Sequence, residues 1–175
     1  MLYYIHGYLS SPEGTKGQLF QQKLQAIPVR YRYVEPEQLV IKDCLQEIKN
    51  VIGYDDKPTL IGSSLGGLLA ARFALENYVE KLILLNPAVI PPFVDIKTIT
   101  DMPLNILKDM KDERLFTKKI HSDIIIFVGT NDICVPNNWS IEFAKSQEAI
   151  IHFLHDDHQF GKYVYQFPEM MEKII

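Results

Sequence analysis

The sequence predicts a three-layer α/β/α sandwich, in which helices cover both faces of a mostly parallel sheet of about six strands. The first reason is that short apolar runs alternate with helical segments along the whole chain, as in βαβ units with right-handed crossovers. The second is that the segments 81–85 and 123–128 are continuously apolar after their first, charged residue, which is typical of parallel strands covered on both faces. A chain of 175 residues can also bury a substantial core.

The chain begins with an apolar run at residues 2–5, which predicts the first strand. A loop rich in Gly, Ser and Pro follows it. Apolar side chains at helical spacing then predict a helix over residues 16–26, and Pro28 ends that helix. The partial alternation of residues 29–34 predicts the second strand.

An amphipathic segment predicts the next helix over residues 37–52, because its apolar side chains share one face. Gly53 is the expected stop for this helix. Residues 58–61 form the third predicted strand, and the apolar residues 65–77 predict a helix directly after it.

Residues 87–121 have a different character from the rest of the chain. Four prolines interrupt them, and residues 105–119 are charged and helical in pattern. The segment is too short for a core of its own. We therefore expect a small cap or insertion within one domain that spans residues 1–175.

The last third of the chain returns to the alternating pattern. After the fifth strand, residues 138–146 predict a helix and residues 149–154 predict the sixth strand. Residues 160–175 predict a final helix that is interrupted or kinked at Pro168.

Composition narrows the classes of function. The formal net charge of −4 argues against a nucleic-acid partner, which would need a clustered basic surface. No apolar run approaches the roughly 18 residues of a membrane span, and no secretory signal is visible at the N-terminus. Cys44 and Cys134 are too few for a disulfide framework. We expect a reduced, cytoplasmic protein.

A G-x-S-x-G pattern occupies residues 62–66, between the third predicted strand and the helix after it. In that context a sharp turn lifts the serine above the sheet, and the helix N-terminus offers backbone N–H groups beside it. The pattern therefore favours Ser64 as a nucleophile. A Gly/Ser turn that only joins strand to helix would contain the same residues.

A serine nucleophile needs a base to take its proton and a carboxylate to orient that base. In this kind of fold the expected chain order is Ser, acid, His. Ser64, Asp132 and His158 follow that order, each in a loop after a different predicted strand. Because such loops meet at one edge of a parallel sheet, the three side chains are expected to come together.

Other residues compete for these roles. His152 lies within an apolar strand, and His155 precedes the acidic pair in the same loop as His158. Asp156 and Asp157 are so near His158 in sequence that they fit loop caps better than the acid. Cys134 has no Cys-His motif around it, and we interpret it as a small packing residue.

Three further polar residues near the first strand could contact a substrate. Lys16 could attract an anionic substrate group, although an exposed helix lysine is the ordinary interpretation. Ser10 and Ser11 fit hydrogen bonds to their own turn better than contacts to substrate. No cluster has metal-ligand spacing, and no glycine motif for a nucleotide is present, so no metal or cofactor is expected.

These motifs resemble those of the α/β-hydrolase superfamily, and most of all the small bacterial esterases of the YqiA/YcfP type. The matching pieces are residues 4–8, 10–12, 62–67, 85–88, 129–136 and 157–160. The resemblance implies Ser64 as nucleophile, Asp132 as acid and His158 as base. It also implies an oxyanion hole formed by the backbone N–H groups of Tyr8 and Leu65.

The resulting expectation is a serine esterase or thioesterase that acts on small-molecule esters with short acyl groups through an acyl-enzyme. An open, shallow pocket is expected because the cap is small. Its candidate lining residues are Phe93, Met102, Leu104, Ile133, Trp139 and Phe160. Two alternatives remain: an acyltransferase with the same three residues, and a non-catalytic binding protein with this fold.

Overall fold

A computed structural model describes residues 1–175 and contains one six-stranded sheet with the order β2-β1-β3-β4-β5-β6. The strands are β1 (Leu2–Ile5), β2 (Ile27–Val29), β3 (Thr59–Ser63), β4 (Lys81–Leu85), β5 (Asp123–Gly129) and β6 (Ile150–Leu154). All neighbouring strands are parallel. The predicted fold class is therefore confirmed.

Seven α-helices connect and follow these strands. They are α1 (Thr15–Leu24), α2 (Ile41–Ile52), α3 (Leu65–Glu76), α4 (Leu104–Met110), α5 (Arg114–Thr117), α6 (Asn137–Gln147) and α7 (Phe167–Glu172). Short 3-10 turns cover Pro36–Gln38, Ile96–Thr98 and Val164–Gln166. None of the helices combines the length and apolar character that crossing a membrane requires.

The two faces of the sheet bury separate cores. Leu82 and Leu84 of β4 join a cluster of 36 buried residues that includes side chains of α2, α3, α4 and α6. Ile83 and Leu85 point to the opposite face and join a cluster of 11 buried residues with side chains of α1 and α7. This double coverage explains why β4 is apolar without alternation.

The strand order creates a crevice between β1 and β3. The chain adds β2 on one side of β1 and β3 on the other, so the direction of sheet growth reverses there. Ligands of open parallel sheets usually bind at such a reversal, outside the carboxyl ends of the strands. Ile5 pairs with Gly62, which brings the loop after β1 beside the turn that contains Ser64.

The second strand differs from its predicted position at residues 29–34. The strand β2 is Ile27–Val29 and includes Pro28, and residues 30–34 lie outside the sheet. The strand lies at the sheet edge and pairs only with β1. A proline is compatible with an edge strand, because its missing N–H need not reach a second neighbour.

Three predicted helices also need correction. Residues 37–40 are not part of α2, because a 3-10 turn led by Pro36 precedes it. The predicted helix at residues 105–119 is two helices, α4 and α5, separated near Asp112. Pro168 does not kink a long helix; it lies in the first turn of α7, where a proline costs no hydrogen bond.

The segment 87–121 is anchored to α3 by ionic contacts. Arg72 Nε lies 3.2 Å from Asp112 Oδ2, and Arg114 Nη2 lies 2.7 Å from the same oxygen. Arg114 also reaches Glu76 at 2.9 Å. Eight buried side chains of the segment enter the larger core: Ala88, Val89, Ile90, Ile106, Leu107, Met110, Leu115 and Ile120. These contacts hold the segment beside the carboxyl edge of the sheet.

Candidate active site

Ser64 occupies a strained turn between β3 and α3. Its backbone has φ 54° and ψ −118°, a conformation that is costly for a residue with a Cβ. Hydrogen bonds hold it there: Ser64 N–H donates to Leu85 O at 2.9 Å, and Ser64 O accepts from Gly67 N–H at 2.9 Å and Ala88 N–H at 3.0 Å. This is the sharp strand-to-helix turn that the G-x-S-x-G pattern predicts.

Glycine is required at position 66 because the start of α3 packs against the end of β1. A Cβ on Gly66 would lie 2.1 Å from the carbonyl oxygen of Ile5 and 2.5 Å from that of His6. These atoms belong to the backbone and cannot move aside cheaply. Gly7 in turn lies against the nucleophile, since a Cβ there would be 3.4 Å from Ser64 Cβ.

Ser64, His158 and Asp132 form a continuous hydrogen-bonded chain. His158 Nε2 lies 3.1 Å from Ser64 Oγ, and His158 Nδ1 lies 2.7 Å from Asp132 Oδ2. A carboxylate oxygen only accepts, so Nδ1–H donates to Asp132 and Nε2 is left to accept the Ser64 hydroxyl proton. The three side chains singled out from the sequence therefore meet at the carboxyl edge of the sheet.

The carboxylate of Asp132 is held in place from two sides. Its side chain is only 1% exposed. Its Oδ1 accepts the backbone N–H groups of Cys134 at 2.8 Å and Val135 at 2.9 Å, while Oδ2 accepts from His158. These three hydrogen bonds fix the orientation of the carboxylate beside His158.

Asn86, at the end of β4, links the acid loop to the histidine loop. Its side-chain Oδ1 accepts from Gly129 N–H at 2.7 Å. Its Nδ2 donates to the carbonyl oxygens of Asp157 at 3.3 Å and His158 at 3.1 Å. Asn86 is buried and has φ 43°, a left-handed conformation that asparagine tolerates better than most residues. Sequence reasoning assigned it no role.

The loop after β1 contributes Tyr8 to the lining of the cavity that also contains Ser64. The backbone N–H of Tyr8 donates to no protein acceptor. Leu65 N–H belongs to the first residue of α3, where N–H groups lack an intrahelical partner. Arg32 fixes the loop by donating to Tyr8 O at 2.6 Å and to Ser10 O at 2.9 Å, and Tyr31 Oη donates to Gly7 O at 3.2 Å.

His6, in the same loop, is buried and uncharged. Its ring stacks on Tyr31 with centroids 4.3 Å apart, and Nδ1–H donates to Gly7 O at 2.9 Å. Burial, opposed by this hydrogen bond and assisted by the nearby Arg32, lowers the pKa of His6 to about 4. His6 therefore shapes the loop as a neutral ring.

A cavity of about 630 Å³ opens beside Ser64 and His158. Its volume lies in the range typical of small-molecule sites. Met102 and Trp139, both predicted to line the pocket, do so. Lys16 also lines it and is only 8% exposed, which corrects its interpretation as an exposed helix lysine.

Four other residues predicted to line the pocket lie elsewhere. Phe93, Leu104 and Ile133 are exposed and contribute nothing to this cavity. Phe160 is fully buried in the smaller core, where its ring meets Phe167 edge-on at 5.0 Å. The prediction failed because apolar character does not reveal whether a loop side chain points into a crevice, into a core or into solvent.

The competing histidines and carboxylates have other contacts. His152 stacks on Phe127 at 5.2 Å, and the exposed His155 reaches Thr130 Oγ1 at 3.4 Å. Asp156 accepts from three backbone N–H groups of its own loop, and Asp157 accepts from two. The two aspartates therefore shape the histidine loop.

One set of side chains has atoms close enough to share a cation. Potential ligand atoms of Asp132, Cys134 and His158 lie within 4.8 Å of one another. Burial and the neighbouring carboxylate of Asp132 raise the pKa of the Cys134 thiol, which disfavours the thiolate that a metal would need. The donors of His158 and the backbone already satisfy Asp132, so this group fits a hydrogen-bonded network better than a metal centre.

Solved structures share this architecture. Est1E from Butyrivibrio proteoclasticus, determined with ferulic acid bound, is 19% identical with a TM-score of 0.78 over 98% of this chain and 86% of its own. A monoacylglycerol lipase from Paleococcus ferrophilus is 16% identical with a TM-score of 0.74 over 98% and 92%. A meta-cleavage product hydrolase from Pseudomonas fluorescens is 14% identical with a TM-score of 0.73 over 99% and 91%.

These likenesses confirm the α/β-hydrolase fold. No curated protein matches the sequence significantly. At the family level, residues 1–174 match the profile of the uncharacterised protein family UPF0227, which supports the family resemblance predicted from the motifs. The chain therefore belongs to the uncharacterised protein family UPF0227.

Proposed function

We propose that this protein is a serine hydrolase that cleaves carboxylic ester or thioester bonds of small, short-acyl substrates. The observation that carries the proposal is the unbroken hydrogen-bonded chain from Ser64 Oγ through His158 to the buried carboxylate of Asp132. The names of the esterase and lipase that share the fold agree with it.

The reaction begins with proton transfer. His158 Nε2 takes the proton of Ser64 Oγ as that oxygen attacks the carbonyl carbon of the substrate. Asp132 holds the imidazole in the tautomer that leaves Nε2 free and stabilises the positive ring that forms. The carbonyl oxygen becomes negative and accepts hydrogen bonds from the Tyr8 and Leu65 N–H groups.

Collapse of the tetrahedral intermediate formed by this attack completes the first half of the reaction, which is acylation of Ser64. His158 returns the proton to the leaving oxygen or sulfur, the bond to the leaving group breaks, and the acyl group remains on Ser64. Water then attacks the acyl-enzyme with His158 as base and releases the acid, which regenerates Ser64. The preformed turn at Ser64 means that little rearrangement is needed between these steps.

Covalent labelling tests the nucleophile. A fluorophosphonate probe should phosphonylate the wild-type protein, and fragmentation of the labelled peptide should place the adduct on Ser64 and not on Ser63. Ser64→Ala should abolish labelling. Ser146→Ala is the matched control, because Ser146 bonds only to its own helix, at Phe143 O, and labelling should persist. Absence of label on the folded wild-type protein would refute the proposal.

The acyl-length preference has its own measurement. A whole ester must fit a cavity of about 630 Å³, so kcat/KM should be highest for short acyl chains and should fall as the chain lengthens. A series of para-nitrophenyl esters and matched thioesters measures this. Clearly faster hydrolysis of the long-chain members would contradict the short-acyl assignment while leaving the Ser64 mechanism intact.

A further inference from the structure

Lys16 is a buried cation in the same cavity as Ser64. It is 8% exposed and lies in the first turn of α1. The only hydrogen bond of its ammonium group goes to the neutral amide oxygen of Gln159, at 3.4 Å. It forms no ion pair with any carboxylate of the chain. The ammonium group has three protons to donate, and the amide oxygen of Gln159 is the one acceptor within hydrogen-bond distance.

A buried ammonium group in this arrangement is unfavourable unless a further group, such as an anionic ligand, pairs with its charge. A buried ammonium that lacks a partner is costly, and buried charges in proteins are normally paired. Burial lowers the pKa of Lys16, against the opposing influence of Asp157 and Asp156. Both oxygens of Asp156 and Oδ1 of Asp157 already accept backbone N–H groups of their own loop, and neither carboxylate lies within ion-pair distance of Lys16. They act on Lys16 from a distance and leave its donors free.

The walls of the cavity differ in polarity. Lys16 belongs to α1, which packs on the smaller core, and Ser10 and Thr15 line the same cavity. The other wall comes from the opposite face of the sheet. Its apolar side chains include Ala88, Ile90, Leu107, Met110, Val135 and Trp139. Asp101, from the segment 87–121, also lines the cavity. Ser64 lies at the sheet edge, between the wall that contains Lys16 and this largely apolar wall.

The position of His158 relates these walls to the two halves of an ester. Gln159, the hydrogen-bond partner of Lys16, directly follows His158 in the chain. His158 delivers the proton to the leaving oxygen, so the leaving group must lie on the His158 side of the scissile bond. On this assignment the leaving group faces the wall that contains Gln159 and Lys16, and the apolar wall remains for the acyl group.

We propose that the substrate of this site is an ester with an apolar acyl group and a carboxylate on its leaving group, which the ammonium of Lys16 binds. One ammonium matches one monoanionic carboxylate in charge. The bond that breaks is still the ester C–O bond, and the proton on the leaving oxygen comes from His158. The inference rests on the proposed function, because it assigns the two halves of the substrate of that same reaction.

A matched pair of esters tests the charge. Para-carboxyphenyl butyrate and para-carbamoylphenyl butyrate have the same shape and differ in the carboxylate. Lys16→Met should lower kcat/KM for the carboxylate ester about 10- to 100-fold, the range for a hydrogen bond to a charged group. The carbamoyl ester should change by less than about 3-fold, within the context-dependence of such contacts. Lys16→Arg should restore part of the preference.

Two controls make the result specific. Lys23→Met removes an exposed lysine of the same helix and should leave both esters unaffected. The second control is another pair of esters, in which the acyl group carries the carboxylate (phenyl succinate) or the amide (phenyl succinamate). If Lys16→Met slows only the acyl-side carboxylate, the assignment of the two walls is reversed and the proposal fails. Equal loss on all esters, or no loss, also overturns it.

Binding to an inactive protein separates this inference from the catalytic proposal. Ser64→Ala should bind para-hydroxybenzoate, the leaving group, at least about 10-fold more tightly than para-hydroxybenzamide by calorimetry, and Lys16→Met should remove that difference. If wild type neither hydrolyses esters nor reacts with fluorophosphonate, the serine hydrolase proposal fails. If it does both but shows no Lys16-dependent preference, only the carboxylate assignment fails.

Discussion

The carboxylate of Asp132 has both oxygens committed to hydrogen bonds, two from backbone N–H groups and one from the imidazole of His158. A buried carboxylate that accepts three hydrogen bonds is held in one orientation. The consequence is a His158 ring that turns its Nε2 toward Ser64 and cannot rotate away without breaking a buried bond.

This arrangement predicts the effect of Asp132→Asn. The new amide can donate to Nδ1, which favours the tautomer with the proton on Nε2, and that nitrogen can then no longer accept from Ser64. We expect kcat for a short ester to fall by about 1,000- to 10,000-fold. The measurement is steady-state kinetics across pH on protein with an unchanged circular-dichroism spectrum.

Asp123→Asn is the matched control for that substitution. Asp123 is an exposed aspartate at the opposite end of β5, and its replacement should leave kcat unchanged. An Asp132→Asn protein that keeps a large share of the wild-type kcat would show that another residue orients His158.

At the scale of elements, the site depends on how loops from separate strands are tied to one another. Asn86 at the end of β4 is such a tie, because its side chain bonds the loop after β5 and the loop after β6. Arg32 makes a similar link at the β1 end of the site, where its guanidinium connects the segment after β2 to the loop after β1. The strands supply the frame, and these two side chains set the loop geometry on it.

Removal of the hydrogen bonds that Asn86 donates to the His158 loop should therefore lower kcat. Asn86→Asp keeps the acceptor for Gly129 and the left-handed backbone but removes the donor to the His158 loop. Misplacement of a catalytic group by about 1 Å can cost about 100-fold, so we expect kcat to fall by about 10- to 100-fold with a smaller change in KM. The pH profile of kcat/KM should shift, since the His158–Asp132 pair moves.

The comparison for this variant is Asn77→Ala, which removes the asparagine hydrogen bond to Phe73 O at the end of α3. It should lower thermal stability somewhat and leave the pH profile alone. If Asn86→Asp changes only the melting temperature, as Asn77→Ala does, then Asn86 supports the fold and has no part in positioning His158.

At the scale of the whole molecule, burial of His6 couples folding to pH. The pKa of His6 is about 4 in the folded protein against 6.5 for an unperturbed histidine. Between these values the unfolded chain binds a proton that the folded protein excludes, so the free energy of unfolding falls as pH falls. The stabilisation is complete above about pH 6.5 and lost by about pH 4, on the order of 3 kcal/mol in total.

Urea unfolding of His6→Phe checks this dependence. Phenylalanine preserves a ring against Tyr31 but does not titrate, so the acid loss of stability should be smaller than that of wild type by about this amount. His121→Asn, at an exposed histidine, should reproduce the wild-type curve. Parallel curves for wild type and His6→Phe would show that His6 carries no linked proton.

The fold class could be read from the sequence because a parallel sheet covered on both faces leaves a local signature in β4 and β5. The predicted ends of helices and strands were less accurate where the position of a segment in the fold mattered more than its local sequence pattern. Pro28 suggests a break in sequence, yet it lies within β2 because that strand is at the sheet edge. Pro168 suggests a kink, yet it begins α7.

Local pattern and chain order were enough to predict that Ser64, Asp132 and His158 would meet, because each follows a strand of one parallel sheet and the strand ends share an edge. The burial of Lys16 at the cavity and the link that Asn86 makes between two loops became visible only in the folded chain. The same is true of the finding that Met102 and Trp139, but not Phe93 or Ile133, line the site. Those facts depend on how distant segments pack, which local periodicity does not encode.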